Sequence, residues 1–238
     1  MIPVNRVRVL STLSLPALLL AVAAHAQLAP PTTQMTHPKP APNLTAPGPV
    51  KLVLPKLGVN LINNPNGDAD VGAAAENQIV NPSGWTSSAK FTVVKYGVST
   101  FPGATSPRPA DAGANFFAGG DDPVSTGTQI IDLHSFASVI KTGSAAFTLS
   151  GWLGGFGSQG DHADVSVTFR DASGATLGQT ALQTVSPVDR NDVTGMVQRT
   201  ANGTVPANAV DAVITVTMTR MNSSYNDGYA DSLVFKIG

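Results

Sequence analysis

Between residues 163 and 169 apolar and polar positions alternate strictly, with Ala163, Val165, Val167 and Phe169 on one side and Asp164, Ser166 and Thr168 on the other. That period of two predicts a strand with one buried face. Asp171-Ala172-Ser173-Gly174 follows as a turn, with Gly where a positive φ is expected, and Ala175 to Val185 is expected to return as the paired strand. Ala212, Ile214, Val216 and Met218 alternate with Val213, Thr215, Thr217 and Thr219 in a further clear strand. Other strands are expected near residues 59–63, 89–96, 126–132, 145–153, 193–200 and 229–237, and a single helical turn at Ser135 to Ile140. Helical periodicity is otherwise absent, and no internal repeat points to a solenoid or propeller. Many short strands separated by Gly and Pro predict an all-β fold, an antiparallel β-sandwich of the jelly-roll kind.

Upstream of residue 58 the pattern changes twice. Residues 1–26 carry Arg6 and Arg8, an apolar stretch from Val9 to Ala23, and Ala24-His25-Ala26 before Gln27, the three parts of a secretory signal peptide. An uncleaved anchor is the competing reading, but Ser11, Thr12, Ser14 and Pro16 interrupt the run, which falls short of the ~20 residues that cross a bilayer. The mature chain is expected to be secreted, at the cell surface, in the periplasm or outside the cell, with no membrane span. From Gln27 to Pro55 stand eight of the 18 prolines and no aromatic residue, so residues 27–57 read as an extended Pro-rich tether. Residues 58–238 then have the size of one sandwich domain.

Loss of Arg6 and Arg8 with the leader leaves 12 basic residues against 15 acidic ones, a net charge of −3. Nucleic acid binding calls for a basic face, and this chain has no case for one. It has no cysteine either, so an exported domain must be held by its core, by a metal, or by both.

Two oxygen-rich turns bracket the domain: Asn64-Pro65-Asn66-Gly67-Asp68-Ala69-Asp70 opens it, and Asn226-Asp227-Gly228-Tyr229-Ala230-Asp231-Ser232-Leu233-Val234-Phe235 closes it. Together with Gly84-Trp85 and Leu149-Ser150-Gly151-Trp152 they resemble the galactose-binding-like jelly rolls, a superfamily that includes many carbohydrate-binding modules of secreted bacterial proteins. The resemblance spans residues 60 to 237. It implies a non-catalytic domain whose partner is a glycan or polysaccharide.

Alternation in the closing strand places Leu233, Phe235 and Ile237 on the core face and, with them, Asp231 and Tyr229. A carboxylate aimed inward is costly unless something compensates it. Calcium, which takes six to eight oxygens, is one such partner. The resemblance implies a structural calcium ion joining the first turn to the last strand, with Asp231 at the acidic position of the strand and Asp68 at that of the opening turn. Asp70 offers a second carboxylate two residues on, and the sequence leaves open which of the two would ligate. It also leaves open that Asp231 caps a loop through backbone N–H groups and binds no metal.

Trp152 shares parity with Thr148 and Ser150, opposite Phe147 and Leu149, which puts its ring on the polar face. An indole there stacks on the apolar side of a pyranose, while Gln159 and Asp161, in the Gly-rich loop that follows with His162, meet its hydroxyls. In the alternative, Gly151 and Gly154-Gly155 break the alternation and Trp152 packs at a sheet edge. Trp85, just after a turn, reads as core. Arg190, within Asp189-Arg190-Asn191-Asp192, offers a planar fork to a sugar, or else lies in a solvated turn. Asn226 and Asp227 belong to the same rim, or make a tight turn with Gly228.

Catalytic signatures are lacking. The domain has two histidines, His134 and His162, and neither a Gly-x-Ser-x-Gly elbow nor a His-Glu-x-x-His helix. Asp121, Asp122, Asp161 and Asp164 remain as a paired-carboxylate alternative of the glycosidase kind, and Glu76 is the only glutamate. The expectation is an exported carbohydrate-binding module; the alternatives are an adhesive or structural protein contacting another protein, and a polysaccharide hydrolase.

Overall fold

The computed structural model describes residues 56–238; the expected leader and all but the end of the expected tether lie outside the described residues. Ten strands are present: β1 Thr86–Ser88, β2 Thr92–Lys95, β3 Asn115–Gly120, β4 Val124–Asp132, β5 Ala146–Gly155, β6 His162–Arg170, β7 Thr176–Ala181, β8 Gly195–Thr204, β9 Asp211–Thr219 and β10 Asn226–Ile237. They form two five-stranded antiparallel sheets, ordered β1-β4-β9-β6-β7 and β2-β3-β10-β5-β8. From β3 to β6 the chain changes sheet at every connection, as it does again from β7 to β10, which makes a jelly-roll sandwich. A 3₁₀ turn at His134–Phe136 runs into a single α-helical turn, α1, at Ala137–Ile140, and caps one end of the core with Phe136 and Ile140. No helix among the described residues is long and apolar enough to cross a membrane.

The inner faces follow the alternation. Val165, Val167 and Phe169 of β6 and Ala212, Ile214, Val216 and Met218 of β9 meet Leu149, Leu153, Leu233 and Phe235 of the opposite sheet. Phe147, Phe169 and Phe235 close one end, at centroid distances of 5.1, 6.0 and 6.1 Å, and Trp85, Phe91 and Phe117 close the other. Trp85 is core, as expected, with its indole N–H donating to the Asn64 carbonyl at 3.1 Å.

Two strands escaped the sequence pattern, for physical reasons. In β3 every residue is buried, because Phe117 points into the sandwich while Phe116 and Ala118 point into a second cluster on the outer face. A strand buried on both sides shows no alternation. β1 is a three-residue edge. Conversely, residues 59–63 are not a strand. Gly58 and Leu61 donate to the carbonyls of Ile237 and Phe235, and between them the Asn60 carboxamide donates to Leu233 O at 2.8 Å and accepts from Phe235 N at 3.0 Å. A side chain here stands in for a stretch of main chain along the half of β10 that β3 leaves unpaired.

The closing strand also departs from strict alternation. The register between β10 and β5 shifts between Asp231 and Val234, and Ser232 takes a φ of 48°. This bulge inserts one extra residue and reverses the facing. Ala230, Leu233, Phe235 and Ile237 point inward, so Tyr229 and Asp231 point outward and not, as the uninterrupted pattern implied, toward the sandwich core.

Candidate functional site

The outer face of the β2-β3-β10-β5-β8 sheet is covered by residues 97–114. Phe101 is wedged against Phe116 and Tyr229, at 5.8 and 6.2 Å with near-perpendicular rings, and Tyr225 lies 5.5 Å away. The Pro107 carbonyl accepts from Met196 N at 2.8 Å, and the Arg108 guanidinium lies 4.7 Å over the Tyr96 ring. At Thr100 this cover meets the β5–β6 and β9–β10 connections.

There a pocket of about 210 Å³ opens, lined by Glu76, Thr100, Phe156, Gln159, Ser223, Ser224, Tyr225 and Asp227. They come from four pieces of chain: Glu76 from the segment before β1, Thr100 from the covering loop, Phe156 and Gln159 from the Gly-rich β5–β6 loop, the rest from the approach to β10 and its first residues. Gln159 and Asp227 are the two sequence candidates that line it.

Asp227 is only 6% exposed. Its Oδ1 accepts from the Tyr229 hydroxyl at 2.6 Å, and no donor among the described residues reaches Oδ2. Burial pushes its carboxyl up to about 6, against the pull of the Tyr229 hydrogen bond; the negative charges of Asp161 and Glu76 push the same way as burial. Half-buried Glu76 is fixed across the pocket by the hydroxyls of Ser99 and Thr100, which donate to its Oε1 at 2.6 and 2.9 Å. The Gln159 Oε1 and the Tyr225 Oη are buried without a hydrogen-bond partner. Burial, reinforced by Asp227, raises the Tyr225 hydroxyl above its ordinary value.

Asp161, Arg190 and Asn226, also expected at the rim, do not line this pocket; they are buried beside it and hydrogen-bonded to its loops. Asp161 is fully buried, with Oδ1 accepting from Met221 N and Asn222 N at 2.7 and 2.8 Å and Oδ2 from Asp227 N at 3.0 Å, which pins the β9–β10 connection. Arg190, 2% exposed, donates to the carbonyls of Gly155, Gly157, Val193 and Gln159 at 2.7–3.1 Å and so fixes the loop that carries Phe156 and Gln159. Burial lowers its pKa from the ordinary arginine value. Asn226 is spent on the carbonyls of Met218, Asp122 and Pro123 and on Gly228 N. These side chains make carbonyl and amide contacts within loops, which residue type alone does not distinguish from ligand contacts.

Trp152 is on the outer face of β5, opposite in facing to Phe147 and Leu149, but outside the pocket. It is half-buried against the cluster of Met196, Phe116 and Tyr229, opposite Asp231 and Gln198 on the neighbouring strands.

The residues expected to hold calcium do not fit such a site. Asp68 Oδ1 accepts from Ala114 N and Asn115 N, at 2.9 and 3.0 Å, and its Oδ2 from Asn66 Nδ2. Asp70 takes the Asn64 amide, Ser83 N and Ser83 Oγ. Asp231 is buried and accepts from the Tyr96 hydroxyl at 2.6 Å and from Ser232 N. Among the described residues no three His, Asp or Glu side chains converge as a cation site. The joining of the two ends is done by hydrogen bonds, through Asn60 and through Leu233 N to Pro65 O at 3.0 Å.

Three of the four aspartates considered for hydrolysis are engaged by other groups, Asp161 by the backbone N–H groups already described. Asp121 faces Lys90 at 3.1 Å, and Asp164 is taken by His162 and Thr184. The two carboxylates that share a pocket are Glu76 and Asp227. Glu76, Phe156 and Tyr225 were not among the sequence candidates; the one signal was that Glu76 is the sole glutamate and Phe156 shares a Gly-rich loop with Gln159.

No protein-family model matches the chain, and no curated protein matches it. Among solved structures it is similar to the enzymatically active domain of tailspike protein 4 of bacteriophage CBA120, at 15% identity and a TM-score of 0.49 over 75% of this chain. The chain spans about a fifth of that protein, 21%. It is also similar to the CBM22-1 xylan-binding domain of Xyn10C from Paenibacillus barcinonensis, at 13% identity and a TM-score of 0.39, covering 68% of this chain and 90% of that one. A family 4 carbohydrate-binding module gives 16% identity and a TM-score of 0.39, covering 74% and 99%.

Proposed function

We propose that the protein is an exported, non-catalytic carbohydrate-binding module whose site is the pocket at the β5–β6 and β9–β10 end of the sandwich. The observation that carries this reading is the lining: two aromatic rings, Phe156 and Tyr225, beside carboxylate, carboxamide and hydroxyl groups held on rigid supports. Sugars present an apolar face and a ring of hydroxyls, and this combination matches both. At about 210 Å³ the pocket is below the ~300 Å³ at which ordinary ligand cavities begin, which suits one sugar unit, such as a chain end or a side branch. Support by Arg190 and Asp161 holds these groups in place before binding, which lowers the ordering cost.

A panel of immobilised polysaccharides, probed with the full chain and with Phe156→Ala and Glu76→Gln, tests it. Retention on at least one glycan that both substitutions abolish, with melting temperatures unchanged, is the expected result. Retention on none overturns it.

A hydrolytic reading has one observation in its favour, the shared pocket of Glu76 and Asp227. Release of new reducing ends from a glycan that binds, lost in both Glu76→Gln and Asp227→Asn, would replace the binding reading with that one.

A further inference from the structure

The pocket is unbalanced in both charge and hydrogen bonding. Glu76 and Asp227 line it, and no Lys, Arg or His does. The cations close to it make their hydrogen bonds elsewhere: Arg190, whose charge reaches Asp227 through space, donates to the carbonyls of Gly155, Gly157, Val193 and Gln159, and Arg220 to those of Asp121 and Ser224. Its polar atoms without partners are mostly acceptors. Asp227 Oδ2 receives no protein donor among the described residues although the residue is 6% exposed, and Gln159 Oε1 is buried and unpartnered. Buried polar atoms in folded proteins nearly always find partners, so unpartnered acceptors that line an open pocket are available to a donor that enters it. A carboxylate so enclosed is costly until a cation reaches it.

A neutral sugar hydroxyl can donate one hydrogen bond to one of these acceptors and leaves the charge uncompensated. A uronic acid adds a third negative charge. An ammonium donates three hydrogen bonds and carries the compensating charge. We infer that the sugar bound in this pocket is a cationic amino sugar, a hexosamine unit with a free ammonium, seated with the ammonium between Asp227, Glu76 and Gln159 and its apolar face on Phe156. An amine beside electron-withdrawing carbons titrates near the ~7.7–8.0 of an α-amino group, so most of it is charged at neutral pH. This inference rests on the carbohydrate-binding reading and narrows it to de-N-acetylated glycans.

Calorimetric titration of the full chain at neutral pH tests it with four probes: a glucosamine tetramer, an N-acetylglucosamine tetramer, cellotetraose and tetralysine. The glucosamine tetramer is expected to bind at least tenfold more tightly than either neutral tetramer and than tetralysine, and the advantage to shrink as salt is raised. Asp227→Asn, nearly isosteric, and Glu76→Gln, on the pocket rim, should each remove that advantage; rim placement of Glu76 keeps the second variant folded whatever the first does. Equal or tighter binding of a neutral tetramer overturns the amino-sugar inference and leaves the carbohydrate reading standing. Tetralysine matching the glucosamine tetramer overturns it in favour of a basic peptide, and binding of none of the four by folded protein overturns the inference; only failure on the wider glycan panel would overturn both.

Discussion

The Tyr96 hydroxyl donates a 2.6 Å hydrogen bond to Asp231 Oδ2, behind the covering loop and beneath the Arg108 guanidinium that lies over the Tyr96 ring. Burial pushes the Asp231 carboxyl up to about 7, outweighing the hydrogen bonds from Tyr96 and Ser232, and the Asp68 carboxylate pushes it further in the same direction. The bulge at Ser232 creates this arrangement, since without it Asp231 would face the sandwich core. A titratable group is thereby built into the seam between the sheet and its covering loop.

A carboxyl whose folded pKa lies above its unfolded value favours the fold in its protonated form. Its contribution is fully present below 3.8, falls as pH rises from 3.8 toward 7, and is gone above that. At ~1.4 kcal/mol per unit the Asp231 window from 3.8 to about 7 amounts to on the order of 4 kcal/mol. Asp227, raised to about 6, and His162, raised chiefly by its hydrogen bond to Asp164, act in the same direction. Asp164, held low by His162, acts oppositely, but its loss comes only as pH falls below the ordinary carboxylate range. Urea unfolding across pH is expected to show maximal stability near pH ~4–5 and a decline toward pH 8. Asp231→Asn should flatten that decline, and a variant with the wild-type slope would contradict the assignment.

Arg190 gives a prediction about support as opposed to recognition. Removing the guanidinium in Arg190→Met takes away four buried or half-buried hydrogen bonds to carbonyls, and about 3–5 kcal/mol of stability should go with it. Lysine cannot restore the fork, so Arg190→Lys should recover little. Denaturation curves decide the point: an unchanged midpoint with lost glycan affinity would instead make Arg190 a ligand contact.

How far the sequence reaches is clearest in three residues. Val165 lies in a strand with one wet face, so alternation finds it and its neighbours at once. Phe116 lies in a strand buried on both faces, where the alternation that marks half-buried strands is missing. Asp231 is a costly buried carboxylate, as its place in the closing strand suggests, but not an inward one: one extra residue in the strand turns it to the other face and gives it a tyrosine as partner. The pocket was half legible: Gln159 and Asp227 stand in recognisable polar turns, whereas Glu76 and Thr100 enter it from segments distant in the chain, and only the folded topology brings them together. Conversely, Arg190, Asp161 and Asn226 have the residue types of a binding rim but are consumed by backbone groups.

Trp152 separates stacking on a ligand from packing. Its ring is half-buried against Met196 and Tyr229 and does not line the pocket. Trp152→Ala should therefore cost about 2 kcal/mol in stability, less than for a fully buried tryptophan, while glycan affinity stays within about twofold. Lost affinity in a protein of undiminished stability would move the site onto the β5 face.

The last prediction concerns what joins the two ends of the domain. A structural ion would make the melting temperature fall on chelation and recover with calcium. In this structure Asp68 and Asp70 are filled by amide and hydroxyl donors, and the closing strand is held by the Asn60 carboxamide, which reads Leu233 O and Phe235 N as a paired strand would. Chelator is accordingly expected to leave the melting temperature unchanged. Asn60→Ala, losing these two hydrogen bonds and the one its Oδ1 accepts from Ile62 N, should cost about 1–3 kcal/mol. Asn60→Asp is the sharper variant: it keeps an acceptor for Phe235 N but sets a carboxylate oxygen against the Leu233 carbonyl, so it should be at least as destabilised as the alanine variant. A chelator effect comparable to either substitution would show that an ion, and not this side chain, carries the joint.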